Sequence, residues 1–419
     1  MLEYFAIFFT TILLFVLLSQ YALLMKRKKN YRKIISPSLS ILVPAHNEEK
    51  YVEETINAIV KARYKGKKEI IVIDDGSTDN TTEIIKKYSK KGLVKYFRTN
   101  HIGKSNALNK ATLLANGKII VIIDADSVIE RDSLQKLVKP FVDEKVAAVS
   151  GIIKVRNRKQ NFLAVFQNVE YLHSSLFRSL CGRINSNIFT PGPLSAFRKD
   201  LLKEVGGFNA RTYMEDVDIS LKLVKRGYKV EVSEDAFTST NVPTSFMSWV
   251  RQRVRWTKGG ISIIRNNLDF YFNRKYLWSS FYSLPLMSYW YIHSMFMTIF
   301  ILYQVVFGYY SYFFIFGNII SFDVLRYFVF WFSIFGIVNL AYQILTGAAT
   351  SLLIRLSVLV TLLTYPLYIY SFVKWKEGIK IKDVLALIFM FPYWFMVLII
   401  QLFSNLEWLK TGQRNIWEK

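Results

Sequence analysis

The stretch IVIDDGSTDNT, Ile71 to Thr81, decides the fold. An apolar run ends in Asp74 and Asp75, Gly76 follows, and a helix start comes next. Open α/β sheets place ligands at such a point, outside the carboxyl ends of their strands. The same residues also suit a plain turn, with Gly76 as turn residue and Asp79 as helix cap. Ser77 and Asp79 both suit capping, and Ile84, Ile85 and Tyr88 form one apolar stripe behind them.

Outward from this stretch, residues from about Ser38 to Asn273 alternate apolar runs with helical patterns, as in a largely parallel sheet. The strands are expected at SILVPA (40–45), EIIVID (69–74), VKYFR (94–98), KIIVIID (118–124), VAAVSGII (146–153) and KVEVSE (229–234). The segment VEYLHSSLFRSLCG is a longer amphipathic pattern, suited to a membrane surface or to the underside of the sheet.

The flanks differ in composition. The 419-residue chain is 52% hydrophobic and carries a formal charge of +24, which points to an anionic partner. Cys181 is the one cysteine beside four histidines, so no disulfide forms within the chain and a Cys/His zinc site is disfavoured. Leu2 to Met25 is long and apolar enough to span a bilayer. No basic residues precede it and no small-residue cleavage site follows, which argues against a removable signal peptide. KRKKNYRK (26–33) follows, and the positive-inside rule puts it and the next domain in the cytosol. Beyond about Tyr276, apolar spans are expected near 284–307, 324–344, 352–372 and 384–403. The apolar stretch 308–322 is short for a span. Four C-terminal spans would place KWKEGIKIKD (374–383) outside, against the positive-inside rule; a fifth would reverse this. Much of the basic charge flanks these spans, where anionic lipid suffices as partner. No nucleic-acid-binding motif is present.

Two further acidic groups follow apolar runs. In VIIDADSV, Asp124 and Asp126 are two apart, so on extended chain they point to one side. Mutually repelling carboxylates suit a hard cation such as Mg2+ or Mn2+ carrying a diphosphate, or a polar strand end capping the next helix. In TYMEDVDIS, Glu215, Asp216 and Asp218 suit a helix N-terminus, and one of them also suits a general base. RQRVRWTKGG (251–260) reads as a basic anchor at a membrane surface or as part of a site.

The ordered set PxHNE, DDGSTD, DAD, ED and QRxRW resembles the membrane-integrated family 2 glycosyltransferases, which include cellulose, hyaluronan, chitin and poly-N-acetylglucosamine synthases. The resemblance covers nearly the whole chain. It implies an α/β GT-A nucleotide-sugar-binding domain with a Rossmann-like mixed sheet, plus an α-helical transmembrane region. It implies a nucleotide-sugar pocket made by Pro44, Ala45, Asn47, Glu48, Asp74, Asp75, Lys104, Asp124, Ala125, Gln252, Arg253, Arg255 and Trp256. Asp126, with Asp124, would hold Mg2+ or Mn2+, and Asp216 would be the catalytic base. Pro191, Gly192, Glu215 and Trp256 would meet the acceptor. Met214 replaces the family's threonine ahead of the acidic pair, and PGPLS (191–195) stands where some synthases carry a cysteine.

The implied map is a transmembrane helix (1–25), a basic cytosolic linker (26–37), a cytosolic catalytic domain (38–243), interfacial helices with QRVRW (244–275), about four transmembrane helices (276–406) and a cytosolic tail (407–419). The resemblance further implies an inverting enzyme of the cell membrane. It would move a sugar from a UDP-sugar, first UDP-N-acetylglucosamine, to a growing β-linked polysaccharide. Transfer to a membrane lipid such as a polyprenyl phosphate or a ceramide-like acceptor is the alternative. A non-catalytic nucleotide-binding membrane protein is the remote one.

Overall fold

The computed structural model describes residues 2–31 and 33–411. Of the tail expected at 407–419, residues 412–419 lie outside the described residues. Helix α1 (Leu2–Met25) precedes β1 (Leu39–Ala45), α2 (Val52–Lys61), β2 (Lys68–Asp75), α3 (Thr81–Lys90) and β3 (Lys95–Thr99). Next come α4 (Lys104–Leu114), β4 (Ile119–Ile122), β5 (Val128–Ile129), α5 (Ser133–Leu137), β6 (Val146–Val155) and α6 (Phe162–Arg183). The domain continues with β7 (Ser195–Arg198), α7 (Lys199–Glu204), α8 (Glu215–Lys225), β8 (Lys229–Thr240) and α9 (Phe246–Arg265). The last helices are α10 (Leu284–Tyr309), α11 (Phe322–Phe332), α12 (Ile334–Leu345), α13 (Leu352–Lys374), α14 (Ile381–Ile388) and α15 (Met390–Thr411).

One sheet runs β3-β2-β1-β4-β7-β6-β8-β5. Strands β3, β2, β1 and β4 are parallel. The near-continuous apolar runs of β1, β2 and β4 suit burial on both faces, while β3 is a partly exposed edge strand. Ile41, Val43, Ile70 and Val72 pack on one face, and Leu42, Ile71 and Ile73 on the other. Strand β1 pairs with β2 on one side and β4 on the other, so the sheet's topological switch point lies there. The carboxyl ends of β2 and β4 deliver Asp74–Asp75 and Asp124–Asp126 to this point. Strand β7, which the apolar pattern does not announce, pairs antiparallel with both β4 and β6 and makes the sheet mixed.

Helix α6 packs between the sheet and the apolar helices, with the sheet side of its expected setting seen directly. Leu172 and Leu176 share a buried cluster with Leu17, Ile152, Trp249, Leu367, Trp375 and Tyr393. Helices at 2–25, 279–314, 352–374 and 390–410 are long and apolar enough to cross a membrane. The stretch 308–322 is no separate helix, because the helix that contains α10 runs on through Phe314.

Helix α1 is antiparallel to α10: Ser19 meets Tyr282 at 2.8 Å, and Phe5 stacks on Phe296. It is parallel to α13: Ser351 meets Glu3 at 3.2 Å, and Tyr21 donates to the Leu363 carbonyl at 2.7 Å. Helix α13 therefore ends on the α/β domain, where Trp375 Nε1 donates to Leu172 O at 3.1 Å and Arg158 pairs with Glu377 at 2.8 Å. This corrects the four-span placement of 374–383 on the opposite side. The reason is the α11–α12 pair, bent by 93°. It starts beside the outer part of α10, with Tyr327 on Val305 O, and leads back to Ser351 beside Glu3. Basic residues 374–383 thus share the side of 26–33, as the positive-inside rule prefers. The expected span at 384–403 is also divided, into α14 and α15. Helix α15 lies along α9: Tyr393 meets Arg253, Glu407 pairs with Lys258, and Trp408 lies against Arg265.

Candidate active site

The candidate site has three parts. The first surrounds Asp75. Its Oδ1 accepts from Thr99 Oγ1 (2.6 Å) and Ile102 N (2.8 Å), and its Oδ2 accepts from Gly103 N (2.8 Å). The Asp75 carbonyl accepts from Nδ1 of His46 (2.8 Å) and of His101 (3.2 Å), whose rings lie 4.1 Å apart. Gly76 has φ +73°, and a Cβ there would sit 2.8 Å from His101 N. Only glycine lets these loops close on the carboxylate.

Asp74 is different. It is fully buried and accepts from Ser77 N (2.8 Å) and from Thr82 Oγ1. Burial opposes its charge, but these hydrogen bonds and Arg98 hold the carboxyl below its ordinary range. Expected in the nucleotide pocket, it lies fully buried in the β2–α3 turn, with one oxygen on Ser77 and the other on Thr82. Asn47 is likewise engaged, with its N–H on Ser77 Oγ (3.1 Å) and its Oδ1 taking Thr78 N (2.8 Å). Ser77 and Asp79 tie residues 47–49 to this turn, since Asp79 Oδ2 accepts from Glu49 N at 3.2 Å. Asp79 also accepts from Thr81 N at the start of α3. Pro44 and Ala45 end β1 beside Ile73 and Asp74, which places the backbone expected to line the pocket next to Asp75.

The centre is a charge cluster. Lys104 Nζ lies 2.6 Å from Asp124 Oδ1 and 3.8 Å from Glu215 Oε1. Burial works against its charge, yet Asp124 and Glu215 outweigh it and raise the ammonium pKa. Asp216 opens α8, where its Oδ1 accepts from the N–H of Val217 at 2.9 Å. Burial, then the Glu215 charge, pushes its carboxyl up to about 7, with Lys104 opposing. Thr190, Gly192, Lys104, Glu215 and Asp216 line one small pocket. A Cβ at Gly192 would lie 2.9 Å from Lys104 Nζ and 3.1 Å from Asp124 Oδ2. Gly192, next to Pro191 in the chain, thus lies against the Lys104–Asp124 pair.

Ala125 is buried, and its carbonyl accepts from Thr55 Oγ1 at 2.7 Å, which fixes the turn between the two aspartates. Asp126 Oδ1 accepts from Ser127 Oγ and Thr240 Oγ1, both at 3.1 Å. Burial, then Asp124, raises its pKa; burial, then Asp126 and Asp124, pushes Glu48 up to about 7. This crowding of negative charge is what a divalent cation relieves. Among the described residues no three His, Cys, Asp or Glu side chains form a metal cage. Mg2+ and Mn2+ sites that use one or two carboxylates and substrate phosphates need no such cage, so Asp126 and Asp124 fit that donor set.

The third part is the face of α9. Arg255 is exposed and makes no hydrogen bond or ion pair among the described residues. Trp256 is half-buried, and its carbonyl faces Tyr291 Oη at 3.4 Å. Gln252 Oε1 is buried with no hydrogen-bond partner among the described residues. Arg253, expected in the nucleotide pocket, has a buried guanidinium paired with Glu170, Nη1–Oε1 2.5 Å and Nη2–Oε2 2.7 Å, and its Nε has no hydrogen-bond partner among the described residues. Gly259 brings α9 onto the loop before Asp216: a Cβ there would lie 2.6 Å from Met214 Cγ.

Several neighbours escape sequence reading. Thr99, His101 and Thr240 hold the acidic groups from other strands and loops. Arg178 is buried in α6, bonded to Ser150 Oγ (2.9 Å) and Ser175 Oγ (3.0 Å). Burial pushes its guanidinium down to about 10, while Asp216 works to raise it. An arginine on the apolar side of an amphipathic helix is the one signal that marks it beforehand.

Comparison with known proteins agrees with this geometry. Residues 40–206 match the model of the family described as Glycosyl transferase family 2. The chain is 32% identical over 259 residues to "Probable glycosyltransferase YdaM" of Bacillus subtilis (strain 168), covering 60% of this chain and 61% of that protein. It is 32% identical over 232 residues to "Poly-beta-1,6-N-acetyl-D-glucosamine synthase" of Staphylococcus aureus (strain COL), covering 54% and 55%. It is 33% identical over 234 residues to the protein of that name from Staphylococcus epidermidis, again covering 54% and 55%. The matches thus span less than two thirds of these relatives' own length. A solved structure, "Mannosyltransferase PcManGT from Pyrobaculum calidifontis in complex with GDP-Man and Mn2+", aligns with TM-score 0.60 and 21% identity. That alignment covers 98% of this chain and 100% of the other, and shows a shared GT-A-like fold.

Proposed function

We propose that this chain, which carries a family 2 glycosyltransferase domain at residues 40–206, is an inverting enzyme that moves a sugar from a UDP-sugar to a membrane-associated glycan. The observation that carries this is the central cluster. One cleft holds a carboxyl group raised to about 7, Asp216, next to a lysine that bridges the DAD turn and Glu215. A base for an acceptor hydroxyl is most effective when its pKa lies near the operating pH.

In the proposed reaction the acceptor oxygen forms a bond to the anomeric carbon, and the bond from that carbon to the diphosphate oxygen breaks. The electron pair leaves with the nucleoside diphosphate, and Asp216 takes the hydroxyl proton. Direct displacement inverts the anomeric centre. Asp75 accepts from the base of the nucleotide with the lone pair that Thr99, Ile102 and Gly103 leave free. Lys104 and Arg255 carry positive charge to the leaving diphosphate, where fixed charge lowers the barrier most. Asp126 and Asp124 would hold a divalent cation, which would supply Lewis-acid neutralisation of the diphosphate charge. Trp256 offers an aromatic face to the acceptor sugar.

N-acetylglucosamine is the first-choice donor sugar, by the printed names of two relatives. The favoured acceptor is a growing β-linked polysaccharide, with transfer coupled to its passage through the membrane. A lipid acceptor is the second reading. Arg255, exposed and unpaired on a helix against the apolar region, suits a lipid phosphate as well as a donor diphosphate. The four long apolar helices fit a membrane protein with this domain on its cytosolic side. Purified protein in nanodiscs with labelled UDP-N-acetylglucosamine tests the proposal. A polymer ladder supports the first acceptor, and a single lipid-soluble product supports the second. No transfer and no nucleoside diphosphate from any UDP-sugar contradicts the reading.

A further inference from the structure

Helix α6 brings a part to the cleft that no motif marks. Glu170 and Tyr171 are consecutive in α6, and Arg253 and Trp256 lie three apart, on one side of α9. The Glu170–Arg253 pair is bidentate and nearly dry, with side chains 14% and 5% exposed. Tyr393 of α15 donates to the same carboxylate, and Arg253 Nη2 lies 3.1 Å from Tyr393 Oη. Desolvation offsets much of the attraction in such a pair, so stability alone explains it poorly.

Its geometric effect is specific. The clamped guanidinium lies over the Trp256 ring, 4.5 Å from its centroid. The Tyr171 ring lies 6.4 Å from Trp256, tilted by 33°. The Tyr171 hydroxyl makes no hydrogen bond among the described residues, and both Asp126 and Arg255 act on it electrostatically. Gln252 Oε1, one turn before Trp256, is buried and unpartnered. Two rings near each other with unpaired polar tips beside them match a pyranose, which offers apolar C–H faces and a rim of hydroxyls.

We propose that Tyr171 is an acceptor-sugar contact paired with Trp256, and that Glu170 and Arg253 are positioning residues that hold the Trp256 ring. This rests on the glycosyltransferase reading above. The ligand class is the terminal sugar of the acceptor, not the nucleotide.

The test uses the full chain in nanodiscs, UDP-N-acetylglucosamine and a β-1,6-linked N-acetylglucosamine tetramer as acceptor. Tyr171→Leu raises the acceptor KM about tenfold while the donor KM stays within about twofold. Tyr171→Phe keeps the ring and raises the acceptor KM by about threefold only. Glu170→Gln moves the acceptor KM in the same direction, and Glu170→Asp, which keeps the charge, recovers part of it. Thermal unfolding of each variant separates misfolding from misplacement. An unchanged acceptor KM in Tyr171→Leu overturns the inference. So does a parallel rise of both KM values with a lowered Tm in Glu170→Gln. An active wild type with either result sinks this inference alone, whereas a wild type that turns over no donor sinks the glycosyltransferase reading and takes this inference with it.

Discussion

The Asp75 end of the site, proposed as the nucleotide end, and its Trp256 end, proposed as the membrane end, are built in opposite ways. Around Asp75, backbone N–H groups of Ile102 and Gly103 and the Thr99 hydroxyl grip one carboxylate at the end of a strand. Around Trp256, side chains from α6, α9 and α15 meet, joined by a pair 83 residues apart and a contact 223 residues apart. The first is a local design that the βα unit enforces. The second exists only when distant helices dock. Substitutions at the nucleotide end should therefore act on donor binding, and those at the membrane end on acceptor use and helix docking.

The largest effect is expected between the two ends. Asp216→Asn should lower transfer by about a thousandfold while donor affinity by calorimetry is kept. The same change should leave Tm at pH 8 equal or higher. The folded carboxyl is raised to about 7, above its unfolded value, so its contribution to stability is fully present below the unfolded pKa and is lost as pH rises through the folded one. Asparagine removes that loss. By the same shift, wild-type kcat/KM should fall about tenfold per pH unit below about 7, as the base takes a proton. A flat profile there would remove Asp216 as base.

Next in size is the cation. Asp126→Asn or chelation with EDTA should lower transfer by about a hundredfold or more, restored by Mg2+ or Mn2+ only in the wild type. Full activity in EDTA would contradict the role given to Asp126.

The two arginines sharpen the contrast within α9. Arg255→Lys should lower kcat/KM about thirtyfold with Tm unchanged, since a planar donor to diphosphate is lost and nothing is unpacked. Arg253→Met should instead lower stability by about 3 kcal/mol, because Glu170 is left buried without its partner. Equal tolerance of both changes would return α9 to a plain basic anchor.

The smallest effects separate neighbours at the nucleotide end. Asp75→Asn should raise donor KM about tenfold, while Asp74→Asn should cost about 2 kcal/mol of stability and leave donor KM alone. Swapped outcomes would show that Asp74 reaches the cleft.

This contrast also explains what was legible in the sequence. Strands β2 and β4 and the DAD turn announce themselves through apolar runs that lead into carboxylates, and the start of α8 through its acidic residues. Strand β7 does not, because SAFR is too short to show a period and pairs only through the tertiary fold. Asp74 and Asp75 look alike in sequence, and only the alternation of a strand sends one into the turn and the other to the cleft. Arg253 looks like a site residue until the Glu170 carboxylate of α6 is seen beside it. Apolar composition located the later helices, but it could not tell that α11–α12 turns back or that α15 lies along α9. Those depend on contacts such as Ser351 with Glu3 and Glu407 with Lys258.

The most direct test of the central claim is release of nucleoside diphosphate, measured for wild type and Asp216→Asn side by side against a panel of nucleotide-sugars in nanodiscs with membrane acceptors present. The account predicts release from a UDP-sugar by the wild type, with the variant binding that donor and releasing almost none. Equal release by both proteins, or none by the wild type from any UDP-sugar, would contradict it.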